Sequence, residues 1–373
     1  MTSHWRPDHL ANLLASGRAE LPQLEAGELQ PVIDGHYLWD QCPVHDKRGD
    51  PVVHRGVELW LALSAPVSAD PAERHIRARL RLLMRGSPDW IDCGNLLPDG
   101  FSQGSREWAG MLYLDDANGA TLFFTAAGFA GERMPSYTQR IFEASGTLVT
   151  DALIPRFENW EDHGEPIRAD GHLYELANEG EGEPGSIKAF RDPFYFRDPA
   201  DGQEYLLFSA SDAKAASEKN AAIGIAAADL SSGRWVLQEP LVVGDGVTNE
   251  MERAHIVFKS GNYYIFWSTH GWTIDPRLKG PTGLYGMVSN TFNGPYEALN
   301  GSGLVAANPA SCPYQGYSWL VADDLSVSSF VDMLDGEIRS GPNDPHYPLG
   351  RFEGTFAPQF RLQLDGKNAW IAA

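Results

Sequence analysis

From His36 onward the chain is a succession of short β-prone runs cut by turn signals, with no convincing amphipathic helix after residue 40. The runs Gly56–Ser64, Ile76–Met84, Thr121–Ala127, Tyr205–Ala210, Tyr263–Ser268 and Phe360–Leu364 are rich in leucine, aromatic and β-branched side chains. Hairpin signals separate such runs: Asp116-Ala-Asn-Gly119, Asp198-Pro-Ala-Asp-Gly202, Ser260-Gly-Asn262 and Asp365-Gly366. Many short strands without alternating helices predict an all-β sandwich, barrel or propeller. Spread over about 330 residues they suit five four-stranded blades, although the pattern alone leaves a double sandwich open and no strong repeat is visible.

Residues 1–30 read as an arm outside this array. Pro7 suits the first turn of a short helix, Leu10, Leu13 and Leu14 form its apolar stripe, and Gly17 ends it. No low-complexity linker divides the remainder, so residues 31–373 are expected to form one domain. The Gly/Glu-rich stretch Asn178–Gly185 reads as an exposed loop within it.

Charge removes several function classes. Fifty acidic residues against 29 basic ones give a net charge of −21, which repels nucleic-acid phosphates and anionic lipid. No apolar run reaches the ~18 residues of a membrane span, and Met1–Ser16 lacks the apolar core of a signal peptide. Cys42, Cys93 and Cys312 have no paired spacing, so neither a disulfide framework nor a zinc site is indicated. HExxH spacing and a glycine-rich phosphate loop are missing as well, which leaves metal hydrolysis and nucleotide chemistry unsupported. A neutral ligand such as a sugar is compatible with all of this, and no metal or cofactor is expected.

Three acidic positions stand out. Asp40 lies in Tyr37-Leu-Trp-Asp-Gln-Cys-Pro43, Asp192 in Phe190-Arg-Asp-Pro193, and Glu250 and Glu252 alternate in Asn249-Glu-Met-Glu-Arg253. Each has a structural reading: a turn cap, a local ion pair, two like charges on one strand face. Together they match retaining glycoside cleavage, which needs a carboxylate nucleophile and a second carboxyl group as acid/base. Nearby tryptophans and arginines supply a sugar platform and hydroxyl donors.

At these residues the chain resembles glycoside hydrolase family 68, the levansucrases, inulosucrases and related β-fructofuranosidases. The resemblance runs from about Tyr37 to the C-terminus, in the family's motif order. It is carried by Leu38-Trp39-Asp40, Arg106-Glu107-Trp108-Ala109-Gly110, Arg191-Asp192-Pro193 and Glu250-Met-Glu252-Arg253. Gly294–Leu304, Pro313-Tyr-Gln-Gly-Tyr-Ser318 and Thr355-Phe-Ala-Pro358 continue it, and Gly294–Leu304 is the most specific single match.

The resemblance implies a five-bladed β-propeller with a central acidic pocket and fructosyl transfer from sucrose to sugar acceptors or water. It assigns Asp40 as nucleophile, Asp192 as transition-state stabiliser and Glu252 as acid/base. Trp39 and Trp108 would wall the fructosyl pocket, with Arg191, Glu250, Arg253, His270 and Tyr317 binding sucrose or acceptor. It also implies an extracellular protein; without a classical signal, non-classical export and cytoplasmic use are the two expectations.

Several positions depart from the family pattern. Ala109 replaces a serine whose hydroxyl can bond the nucleophile, Ser209 a common glutamate, Trp319 a frequent histidine and Asn249 a frequent aspartate. The last change removes a hard-cation ligand, so no calcium is expected. His270 and Trp319 are the expected determinants of acceptor choice. A sucrose hydrolase on the same scaffold is one alternative, and a sugar-binding propeller without catalysis, favoured by Ala109 and Ser209, is another. The related invertase/inulinase family fits less well, because its nucleophile motif is of Asn-Asp-Pro-Asn type and its acid is followed by cysteine.

Overall fold

Residues 2–13, 19–86, 89–177, 187–229, 231–334 and 351–372 are described by the structure, a computed structural model. Leu14, Gly17 and the stretch 178–185 lie outside the described residues.

The strands form five sheets arranged as the blades of a propeller, antiparallel except where Ser3–His4 and His45–Asp46 add in parallel. The first blade runs through His36–Pro43, Val57–Pro66, Arg79–Arg85 and Trp90–Asn95. The second comprises Arg106–Leu114, Gly119–Ala127, Gln139–Val149 and Arg156–Gly164, and the third Phe190–Arg197, Glu204–Ser211, Ala221–Asp229 and Arg234–Val243. The fourth has Glu252–Lys259, Asn262–Thr269 and Gly283–Ser289, with short outer strands Glu297–Ala298 and Leu304–Ala307. The fifth has Gly316–Val321, Ser326–Met333, Phe360–Asp365 and Asn368–Ile371, with Phe352–Phe356 also paired to its second strand.

All four hairpin signals sit between consecutive strands of one blade. The middle strands are covered on both sides by neighbouring blades, so their sequences are continuously apolar rather than alternating. Gly283–Ser289 is buried along its whole length.

One sequence run divides differently. Asp70 accepts the Ala72 N–H at 2.9 Å and Pro71 follows it, and together they start a turn that continues into a helix over Arg74–Arg77. The strand expected from Ile76 therefore begins at Arg79, opposite Ser64.

The first strand of each blade faces the axis, and hydrogen bonds link the blades in sequence. Cys42 Sγ meets the Gly110 carbonyl at 3.3 Å, and Tyr195 N–H meets Met111 Sδ at 3.1 Å. Arg253 N–H points to Asp192 Oδ2 at 3.4 Å, and Val321 N–H donates to His255 Nε2 at 2.9 Å. Gln41 closes the ring by donating to the Ser329 carbonyl at 2.6 Å. His255 is fully buried, and its Nδ1 contacts the Arg253 carbonyl at 2.8 Å. These partners require the neutral Nδ1–H tautomer, and burial holds its pKa down at about 4.

The N-terminal segment crosses three blades. Ser3–His4 pair in parallel with Val242–Val243 of the third blade, and a helix follows over Pro7–Ala11. Trp5 is wholly buried against Trp267 and Tyr285 of the fourth blade, and its indole N–H donates to the Ser302 carbonyl at 2.9 Å. Further on, Leu21 N–H reaches the Ala307 carbonyl at 2.8 Å and Leu24 N–H reaches Gln315 Oε1 at 2.9 Å, at the entrance to the fifth blade.

Truncating Trp5 leaves a large hole at this seam. Trp5→Ala is expected to cost about 3–5 kcal/mol of stability, read as a lower midpoint of urea unfolding. An unchanged midpoint would show that the strap contributes nothing to the fold.

Candidate active site

The site is built by irregularities on the inner strands. Ladder pairing shifts between Trp39 and Cys42, Trp108 and Gly110, Arg191 and Phe194, Glu252 and His255, and Tyr317 and Leu320. In four of these bulges a non-glycine residue takes a left-handed conformation: Asp40 (φ 52°), Asp192 (57°), Arg253 (54°) and Ser318 (57°). Such backbone costs about 1–3 kcal/mol per residue. It also breaks the rule that neighbours on a strand face opposite ways. Trp39 with Asp40, Arg191 with Asp192, and Glu252 with Arg253 thus open in pairs into one axial cavity of ≈ 260 Å³.

All ten residues singled out from the sequence line that cavity: Trp39, Asp40, Trp108, Arg191, Asp192, Glu250, Glu252, Arg253, His270 and Tyr317. Glu250 does not share a strand with Glu252. It lies just before the strand that Glu252 opens, where Thr269 Oγ1 holds its carbonyl at 3.0 Å.

Arg191 organises the charges. One terminal nitrogen donates to Glu252 at 2.7 Å and lies 3.9 Å from Glu250, and Nε lies 3.7 Å from Asp192. Its other terminal nitrogen is held by Gln139 at 3.1 Å. Tyr317 donates its hydroxyl to the second oxygen of Glu252 at 2.5 Å. Asp192 accepts the Ser209 hydroxyl at 3.0 Å, and its own N–H donates to Thr125 Oγ1 at 3.0 Å. Ser209, read from sequence as the loss of a glutamate, therefore anchors the proposed stabiliser directly.

Burial raises the carboxyls. Asp40 is pushed up to about 6 by desolvation, which Arg253 and the nearby Ser318 hydroxyl oppose and Asp192 and Glu252 reinforce. Ser318, on the fifth blade, is the hydroxyl near Asp40, where Ala109 of the second blade offers none. Asp192 is also raised, mainly by burial, with Arg191 as the main restraint. Burial and the adjacent Glu252 charge push Glu250 up to about 8, against the pull of Arg191 and Lys219.

His270 is stacked between Tyr317 and Trp272, at centroid distances of 3.4 and 3.7 Å. Burial, with Arg74 nearby, holds it well below its ordinary pKa, and its Nδ1 has no partner among the described residues. It is a neutral imidazole clamped between two rings, with one buried nitrogen that has no partner among the described residues. Trp319 differs from expectation: it is fully buried, does not line the cavity, and packs its ring against Tyr317 from behind. Its bulk supports the site, and an acceptor cannot reach it.

Ten lining residues escaped sequence reasoning, among them Arg74 and His75 on the helix, Tyr137, Trp272 and Asp332. The Asp70-Pro71 helix-start signal could have found the first two. Asp332 is the lone acid in the strand Ser326–Met333, where an uncompensated acid among apolar neighbours is itself a signal. It is 3% exposed, its Oδ1 has no partner among the described residues, and burial pushes it up to about 7 against the pull of Arg74. Such an oxygen on a cavity wall is placed to accept a ligand hydroxyl. Among the described residues no cluster of His, Cys, Asp and Glu is arranged to hold a metal ion.

A family model described as Levansucrase/Invertase matches residues 19–219 and 209–372. Levansucrase of Zymomonas mobilis is 34% identical over 373 residues, spanning 91% of this chain and 84% of its own. Levansucrase of Erwinia amylovora is 30% identical over 392 residues, spanning 92% and 89%. Among solved structures, an inulosucrase from Halalkalicoccus jeotgali bound to kestose superposes with TM-score 0.87 at 32% identity, covering 100% of this chain and 95% of that one.

Two outcomes are expected from this geometry. If Asp40 must be ionised to act, kcat/KM falls as pH drops through about 6, and Arg253→Gln moves that limb to higher pH because Arg253 lowers the Asp40 value. A limb unmoved by Arg253→Gln would remove Asp40 as its source. Separately, Asp332→Asn is expected to raise KM for the sugar substrate at least tenfold, the scale of a lost hydrogen bond to a charged group, about 1.5–3 kcal/mol. Steady-state kinetics above pH 7 reads this directly.

Proposed function

The chain belongs to the levansucrase/invertase family, and on that premise we propose that it is a retaining fructosyltransferase that takes its fructosyl unit from sucrose. The reading rests on one arrangement: Asp40, Asp192 and Glu252, from three different blades, open into one cavity with Arg191 between the last two.

In this mechanism Asp40 attacks the anomeric carbon of the fructosyl unit and forms a covalent glycosyl ester. The reaction requires a proton on Glu252 before cleavage; Glu252 gives it to the departing glucosyl oxygen, then takes one from the hydroxyl of the incoming acceptor. Asp192, fixed by Ser209 and Arg191, faces in its ionised form the positive charge that develops on the sugar ring. Trp39 and Trp108 flank the fructosyl unit, while Arg253, fixed to the Gln41 carbonyl at 3.3 Å, keeps the nucleophile charged. Glu250, on the cavity wall, is a further contact for the sugar hydroxyls. His270, Tyr317 and Asp332 complete the sucrose and acceptor contacts. Sugar acceptors and water compete for the same intermediate.

Incubation with sucrose, following glucose and fructose separately, tests this. Glucose in excess of fructose marks transfer, and equal release marks hydrolysis on the same machinery. Glu252→Gln should lower kcat by about 10²–10⁴-fold, and Asp40→Asn should abolish turnover. Full activity in the Asp40 variant would sink the assignment.

A further inference from the structure

Arg106 opens the inner strand of the second blade, yet its guanidinium points away from the acids described above. Its side chain has no exposed surface, and it pairs with Glu132 at 3.1 Å. The same terminal nitrogen donates to Ser105 Oγ at 2.8 Å, and the other donates to the Ser136 carbonyl. Glu132 is saturated in turn: Ser105 Oγ reaches one oxygen at 2.6 Å and Ser136 Oγ the other at 2.8 Å. The loop between the second and third strands of this blade is thereby fastened down one residue before Tyr137.

Tyr137 is a cavity-lining residue, as is Trp108. The guanidinium lies 5.3 Å from the Trp108 ring and 5.5 Å from the Tyr137 ring, and the two rings are 6.4 Å apart. Trp108 is fixed separately, its indole N–H donating to the His75 carbonyl at 3.1 Å. The packing around the pair leaves no room for slack. Gly128 sits at φ +65°, and a Cβ there would lie 2.1 Å from Glu132 Oε1 and 2.7 Å from an Arg106 nitrogen. A buried ion pair is a poor source of net stability compared with apolar packing, but its planar fork specifies geometry.

We propose that the Arg106–Glu132 pair is a positioning device that holds Tyr137 against Trp108 as a sugar-binding wall, and so sets sugar affinity rather than the rate of bond cleavage. Arg106 touches no substrate in this arrangement; it acts through Tyr137. The inference rests on the fructosyl-transfer reading of the same cavity. One competing route exists, since the loop runs on to Gln139, which holds Arg191. A device working through that contact would change kcat.

Initial rates of glucose release from sucrose, with melting temperatures recorded for every variant, separate these cases. Tyr137→Ala is expected to raise KM roughly three- to tenfold with kcat nearly unchanged. Arg106→Lys, which keeps the charge but loses the fork, should raise KM in the same direction. The double variant should be no worse in KM than Tyr137→Ala alone. If Arg106→Lys does not fold, Glu132→Gln takes its place in the same cycle. Unchanged KM in Tyr137→Ala, additive effects in the double variant, or a fall confined to kcat would each overturn the inference while leaving the reading of the site intact. No glucose release by the wild-type protein would overturn both.

Discussion

Arg191 makes the centre of this propeller tenable. Asp40, Asp192, Glu250, Glu252 and Asp332 share one cavity in a chain whose net charge is −21, so like-charge repulsion and desolvation act in the same direction. A guanidinium that reaches Glu252 at 2.7 Å while flanking Asp192 and Glu250 offsets both. Arg253 does the same for Asp40 from the next blade. The compensation is incomplete, which leaves Glu250 at about 8 and Asp40 at about 6. Carboxyls of one cavity thus differ in proton affinity, which acid/base work requires.

The cations can do this only because the backbone is bent to bring them there. A regular inner strand would send Arg191 and Asp192, or Glu252 and Arg253, to opposite faces. The bulges turn both members of each pair to the axis, and the strain is sustained because neighbouring blades hold the bulged residues. Asp192 is gripped by Thr125, Ser209 and the Arg253 N–H, and the Arg253 carbonyl by His255. Ring closure matters for the same reason. Gln41, one residue after Asp40, makes a contact that joins the first blade to the fifth.

Departures from the family pattern acquire a physical meaning in this setting. Ala109 offers no hydroxyl, but its carbonyl accepts one from Thr125 at 3.2 Å, and Ser318 places another beside Asp40. Trp319 packs behind Tyr317 without lining the cavity, whereas His270 lines it with its ring clamped between two aromatics.

Much was legible in the residues themselves. Hairpin signals at Ser260-Gly-Asn262 and Asp365-Gly366 define local turns, because two- and three-residue connections depend on nearby backbone preferences alone. The absence of helical periodicity after residue 40 excluded most architectures, and motif order brought ten cavity residues into view. The blade count stood open against a double sandwich, since strands covered on both sides lose the alternation that marks a sheet's faces. The helix at Arg74–Arg77 was masked because Ile76 and the leucines beyond it read as one apolar run. Asp332 and Tyr137 carry no motif, and only the meeting of the fifth and second blades at the axis gives them a common cavity. Sequence alone determined the chemical types present and their local turns. Tertiary structure decided which carboxyls share a field, which cation restrains them and which face a bulge presents, because those depend on through-space distances between residues that are remote along the chain.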